Sequence, residues 1–415
     1  IGRVICSIIK QKYQEKRERM NFVFISPHFP TNYWKFCAEL KKNGVNVLGI
    51  GDAEYDTLSD ELKGSLTEYY KVNNMENYDE MMRAVGFFTF KYGKIDWIES
   101  NNEYWLEQDA RLRTDFNVTT GPQSKDMDAV KFKSKMKANY AKAGVPAAKY
   151  HLVSTYEEGK AFVAQVGYPV IVKPDNGVGA SNTYKLKNDA DFDAFYANLP
   201  SVQYIMEEFV NGEICSYDAL VNSKGEVLFE TGNITLISIV DAVNDKEDVY
   251  FYIVDHVAED LAEAGRRTLD AFGVKSRLVH FEFFRLLEDR EGLGKKGDIV
   301  GLEVNMRPCG GFTPDMVNFA NSFDIYKLWA DMICYDSIWL PEYREISNCL
   351  FVGRRKGKEY RHSHDEIVQQ DGYKIWMMEE LPEVIAAGMG DYMYLLKCKT
   401  KDELLECIHY MVEKK

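Results

Sequence analysis

The order of strand-like and helix-like segments predicts an α/β and α+β protein. A parallel βαβ layer comes first, a strand-rich central part follows, and a small α/β cap closes the chain. Three observations carry this. Residues 22–26 (FVFIS) form a short apolar strand, a helical stretch spans 33–43, and a second strand spans 45–50, the order of a parallel unit. Two later segments, 278–284 (LVHFEFF) and 299–308 (IVGLEVNMRP), alternate at the two-residue period of a strand with one buried face. From about residue 340 the composition shifts, and strand-like YKIWMME and YMYLLKC precede helix-like KTKDELLECIHYMVEKK.

Each element has a local reason. The N-terminal layer is Rossmann-like in layout, but the turn after its first strand, SPHFPTNYW, has no glycine, so it is not a dinucleotide fingerprint. Strand-like DWIES and helix-like NNEYWLEQDARLRTDF carry the layer to about residue 120, where GPQS marks a break. A helix is predicted over 129–143, with Phe132, Met136 and Tyr140 on one stripe and Lys133 and Lys137 on its flank. Gly144 and Pro146 end it. Residues 1–19 run from apolar to densely charged, the reverse of a secretory signal, and are set aside as a leader or peripheral segment, with Met20 as the natural start. The expected domains are then 20–122, 123–338 and 339–415.

Composition narrows the function classes. A net charge of −14 argues against a nucleic-acid footprint, and no apolar run approaches the roughly 20 residues of a membrane span. Eight cysteines without a C-x-x-C pair suggest reduced, mostly buried thiols and a cytoplasmic setting.

Four elements hold candidate chemistry. In 299–308, alternation sends Val300, Leu302, Val304 and Met306 to one face and Gly301, Glu303, Asn305 and Arg307 to the other. Glu303 and Asn305 are hard oxygen ligands of the kind Mg²⁺ takes. In 278–284, His280 and Glu282 share a face, which brings a second carboxylate to a strand able to pair with the first. The segment YPVIVKPDNGVGAS (168–181) delivers Lys173 at a strand end before a loop holding Gly177 and Gly179, where backbone amides can approach phosphate. It is not a Walker loop, and taken alone such a hairpin is only a turn. YIMEEFVNGE (204–213) places Glu207 and Glu208 between an apolar strand end and a linker, a place suited to an adenine ring; most such pairs are solvated corners.

In this order the four elements closely resemble the ATP-grasp superfamily, in particular the carboxylate–amine ligase group related to biotin carboxylase, carbamoyl phosphate synthetase and D-alanine ligase. The likeness covers about residues 21–335, and E-x-N-x-R is its most specific piece. It implies a two-lobed ATP-grasp domain and an Mg·ATP-dependent ligase that activates a carboxylate as an acyl phosphate for an amine or ammonia. By that resemblance Lys133 and Lys173 contact the ATP phosphates, and the loop Gly177–Ser181, with Gly179, closes over them. Lys133 is taken ahead of Lys131 and Lys135 from its distance to Gly144. Glu207 or Glu208 takes the adenine amino group, with the Val210 backbone beside it and Glu213 on the ribose. Glu282, Glu303 and Asn305 hold Mg²⁺, with Mn²⁺ an acceptable substitute, and Arg307 faces the transferred phosphoryl group.

The rivals are an ATP-grasp kinase that forms no amide and a non-catalytic nucleotide-binding module. The intact set of Lys173, Glu282, Glu303, Asn305 and Arg307 argues against the module. Small-molecule carboxylate and amine substrates are expected, in a homodimer, the commonest symmetric assembly. His280 is read as a supporting histidine and His256 as a helix-start residue, while Ser26 and His28, at the end of the first strand, are minor candidates for substrate contact.

Overall fold

The computed structural model describes residues 20–177, 182–236 and 247–415, apart from the side chain of Val384. Three sheets organise it. The first is parallel, in the order β3-β2-β1-β4, from β1 (Asn21–Ile25), β2 (Asn46–Gly51), β3 (Glu68–Lys71) and β4 (Trp97–Glu99). The second is antiparallel, in the order β5-β8-β6-β7, from β5 (Tyr150–Leu152), β6 (Val170–Pro174), β7 (Tyr184–Leu186) and β8 (Tyr204–Glu208).

The third is a nine-stranded antiparallel sheet. Its strands are β9 (Gly212–Val221), β10 (Val227–Thr231), β11 (Asn233–Thr235), β12 (Val249–Ile253), β13 (Arg277–Leu286), β14 (Ile299–Asn305), β15 (Asn348–Arg354), β16 (Ile375–Glu380) and β17 (Tyr392–Cys398). The order is β14-β13-β9-β11-β12-β15-β17-β16, with β10 also on β9. The C-terminal segment therefore continues this sheet, because β15 pairs with β12 along five residues and leaves no seam.

Aromatic packing joins the first and third sheets. Trp329, on the helix Ile325–Tyr335, meets Phe22 and Phe24 of β1 edge-on at 5.6 and 6.4 Å and Phe36 at 5.0 Å. The same buried cluster includes Phe251, Phe351 and Leu395 of the large sheet. Such edge-to-face pairs add to the burial of apolar area that holds layers together.

Two sequence expectations change in detail. The helix predicted over 129–143 is two helices, Asp128–Lys131 and Lys133–Ala143, broken at Phe132. The break lets Asp175 cap the second one: its carboxylate accepts from the Ser134 backbone N–H at 2.8 Å and hydroxyl at 2.7 Å. Met136 and Tyr140 are buried as expected, whereas Phe132 is half-buried beneath Lys135.

The alternation on β14 also slips. A bulge against β13 pairs Glu303 with Glu282 but Gly301 with Phe283. Gly301 thus turns to the face opposite Glu303, and Val300 joins a separate cluster with Val210 and Leu286. The glycine is required by packing, since a Cβ there would lie 2.4 Å from the Tyr140 ring. Gly301→Ala should therefore cost about 1–3 kcal/mol of stability in urea unfolding, the usual penalty of overpacking.

Candidate active site

A cavity of about 550 Å³ opens between the second sheet and strands β9, β13 and β14. Lys133, Lys173, Glu207, Glu208, Val210, Glu213, Glu282, Glu303, Asn305 and Arg307 all line it. Gly177 joins through its carbonyl, which accepts from Lys133 Nζ at 3.1 Å. Gly179 and Ser181 lie outside the described residues.

The basic end is built by alternation on β6 and β8. Val170 and Val172 face a buried apolar cluster, which leaves Ile171 and Lys173 to face the cavity. Glu207 sits directly opposite Ile171. One of its oxygens lies 2.7 Å from Lys173 Nζ, and the other pairs with Lys137. Burial alone would raise the Glu207 pKa, but the two ammonium groups outweigh it and hold it at about 2. Burial likewise pushes Lys173 down, and Glu207 and Glu303 more than offset it, so its pKa is raised. Glu208 points the other way. Its carboxylate accepts from the Lys149 backbone N–H at 2.8 Å and pairs with Arg290 at 3.2 Å. The two glutamates that the sequence leaves open thus have different partners.

The acidic end follows from strand register. Glu282 is opposed to Glu303, and His280 to Asn305, across β13 and β14, so all four share one face. Like charges placed this way repel unless a cation lies between or beside them. Lys133 Nζ stands 3.2 Å from Glu303, and His280 Nε2 is 3.2 Å from Glu282. The other nitrogen of His280, Nδ1, lies 2.7 Å from Asp218. Burial would lower the histidine pKa, but Cys309 and Asp218 carry it well above the ordinary value. The carboxylate pair and the Asn305 amide are hard oxygen donors, a set that suits Mg²⁺.

Arg307 follows at the end of β14. Its guanidinium donates to Asn305 Oδ1 at 3.3 Å and pairs with Glu103 of the N-terminal layer at 3.6 Å. Glu103 also takes Lys131 at 3.0 Å. Arg277 fixes the preceding residue: it donates to the Met306 carbonyl at 2.6 Å and to Glu99 at 3.0 Å. Nearby, Asn32 donates to the Gly311 carbonyl at 3.1 Å. The ends of β1 and β4 therefore reach the segment after Arg307, as open parallel sheets present ligand sites at their carboxyl ends. Ser26 and His28 lie in that turn, where Ser26 Oγ donates to the Phe29 carbonyl and His28 pairs with Asp52. His256 is exposed and pairs with Asp255, just before the helix Glu259–Phe272.

Several residues of the site were given no functional role by sequence reasoning. Lys137 had a signal, since it stands one turn beyond Lys133. Lys185, over the Phe209 ring at 3.9 Å, and the cavity-lining Phe284 and Leu302 had none beyond strand position. Glu103, Arg277 and Asp218 come from distant segments and meet the site only through tertiary packing.

Residues 129–248 match the family model described as ATP-grasp domain. The chain carries an ATP-grasp domain, and Lys133, Lys173, Glu207 and Glu208 fall within it. The L-arginine-specific L-amino acid ligase of Bacillus subtilis is 24% identical over 258 residues, 60% of this chain and 59% of that protein. The chain thus spans less than two thirds of that relative. Among solved structures, the L-amino acid ligase of Bacillus licheniformis superposes with a TM-score of 0.70 at 15% identity, over 94% of this chain and 97% of that one. The biotin carboxylase domain of the Hydrogenobacter thermophilus 2-oxoglutarate carboxylase, solved with MgADP, ADP and bicarbonate, gives 0.68 at 14% identity, over 94% and 88%. These structures share the fold.

Proposed function

We propose that this protein is an Mg·ATP-dependent carboxylate–amine ligase. The observation that carries the reading is the opposition of Glu282 to Glu303 in one cavity with Lys133, Lys173 and Glu207. The ligase relatives supply the reaction class. In this reading residues 20–122 form a pre-ATP-grasp domain, 123–338 the ATP-grasp domain and 339–415 a C-terminal part.

Lys133 and Lys173 bind the phosphates of ATP and exchange their present carboxylate partners for phosphate oxygens. The purine lies against Val210, Phe284 and Leu287, near Glu207 and the Val210 backbone, with Glu213 on the ribose. Glu282, Glu303 and Asn305 hold Mg²⁺, which when bound neutralises charge on the phosphoryl group in transfer. Arg307 orients the substrate carboxylate and holds the acyl phosphate, and Gly310 leaves the backbone open beside it. The acyl phosphate must be kept from water until the amine arrives.

Release of ADP over pooled carboxylates and amines tests the reading. ADP that needs both substrates supports a ligase, ADP with carboxylate alone makes the protein a kinase, and no ADP makes it a binding module. Lys173→Ala should weaken ATP binding by about 10–100-fold, the worth of a charged hydrogen bond. Unchanged affinity in calorimetry would remove Lys173 from the phosphate site.

A further inference from the structure

Behind the Mg²⁺ ligands lies a second group of metal-binding side chains with different chemistry. Asp218 and His280 are directly opposed on β9 and β13, and Cys309 follows β14. One ligand atom from each lies within 4.8 Å of the other two. From this geometry we infer a site for a thiophilic divalent cation of the zinc class, held by Asp218, His280 and Cys309.

The donor set selects the ion. Thiolate and imidazole favour Zn²⁺, whereas Mg²⁺ prefers the all-oxygen set of Glu282, Glu303 and Asn305. Ligands around a tetrahedral Zn²⁺ stand about 3.3–3.7 Å apart, from bond lengths of about 2.0–2.3 Å. The 2.7 Å contact between Asp218 and His280 Nδ1 must therefore open by under an ångström, which side-chain rotation supplies.

The surroundings already orient each ligand. His280 keeps Nε2 on Glu282 at 3.2 Å, the histidine–carboxylate pairing that fixes Nδ1 as the metal-facing nitrogen. The Ser216 hydroxyl donates to the Asp218 carboxylate, and Asn233 Nδ2 lies 3.9 Å from Cys309 Sγ. Two ligands sit on paired strands of a rigid sheet, so little order must be gained on binding. Cys309 is half-buried, and a cavity of about 30 Å³ borders both it and Asp218, its other walls mostly apolar. A cavity of that size has room for one water beside Asp218 and Cys309 as a fourth ligand.

The test is a Co²⁺ titration of the full, metal-free chain, which does not depend on the ligase reading. One equivalent of Co²⁺ should produce a near-ultraviolet thiolate-to-cobalt band that Zn²⁺ abolishes, and Cys309→Ser should lack it. The other described cysteines are buried, so a band of equal strength in that variant, or no band in the parent, would overturn the site. Ser216→Ala should bind Co²⁺ about 10–100-fold more weakly, as loss of a ligand-orienting group does. If Cys309→Ser fails to fold, the unaltered protein decides. Stoichiometric Zn²⁺, but not Mg²⁺, should shield Cys309 from iodoacetamide in mass spectrometry, and equal labelling with and without Zn²⁺ rejects the proposal.

Discussion

Replacing Glu303 by Gln should lower ADP formation on the order of 10²–10³-fold, the scale on which a group stabilising transferred charge contributes. Nucleotide affinity should change far less, because Lys133, Lys173 and the apolar wall at Val210 and Phe284 remain. Stability should stay level or rise slightly. Glu303 faces Glu282 across a strand pair, so the substitution removes one of two like charges. Its ion pair with Lys133 at 3.2 Å is lost, but the Gly177 carbonyl still accepts from that ammonium. A structural role for the pair would give the opposite pattern: a lower melting temperature and unaltered turnover per folded molecule. Thermal unfolding, ATP calorimetry and ADP release on one preparation separate the two.

What could be read from the sequence follows its periodicities. The βαβ start, the strands bearing Lys173, Glu207, Glu282 and Glu303, and the glycine stop at Gly144 are local patterns, and the structure has each, although the strand read over 299–308 ends at Asn305. The Phe132 break was hidden because the cap that goes with it, Asp175, lies more than 40 residues away. The slip at Leu302 was hidden for a related reason: a bulge is a property of a strand pair, and one strand carries no mark of it. Two C-terminal strands, β16 and β17, read correctly as strands, but β15, which joins them to β12, was not read, and that pairing is a long-range choice that no local pattern states. Glu208 teaches the same lesson within the site. Strand alternation separates it from Glu207, but only the fold reveals that Arg290 and Lys149 occupy it while Lys137 and Lys173 surround Glu207.

Glu207→Ala should destabilise the protein by about 3–5 kcal/mol, because it leaves the buried ammonium groups of Lys137 and Lys173 without their shared counter-ion. The pH dependence identifies the cause. Glu207 titrates at about 2 in the folded chain, against about 4.3 for an unperturbed glutamate. A depressed folded pKa means stabilisation that is complete above the unfolded value and lost as pH falls through the folded one. The stability gap between parent and variant should therefore stay constant from neutral pH down to about 5, then narrow as pH drops below about 4. Urea unfolding of both proteins at several pH values measures it. A gap that is small at neutral pH, or that does not narrow in acid, would mean that Lys137 and Lys173 are neutralised by something other than this carboxylate.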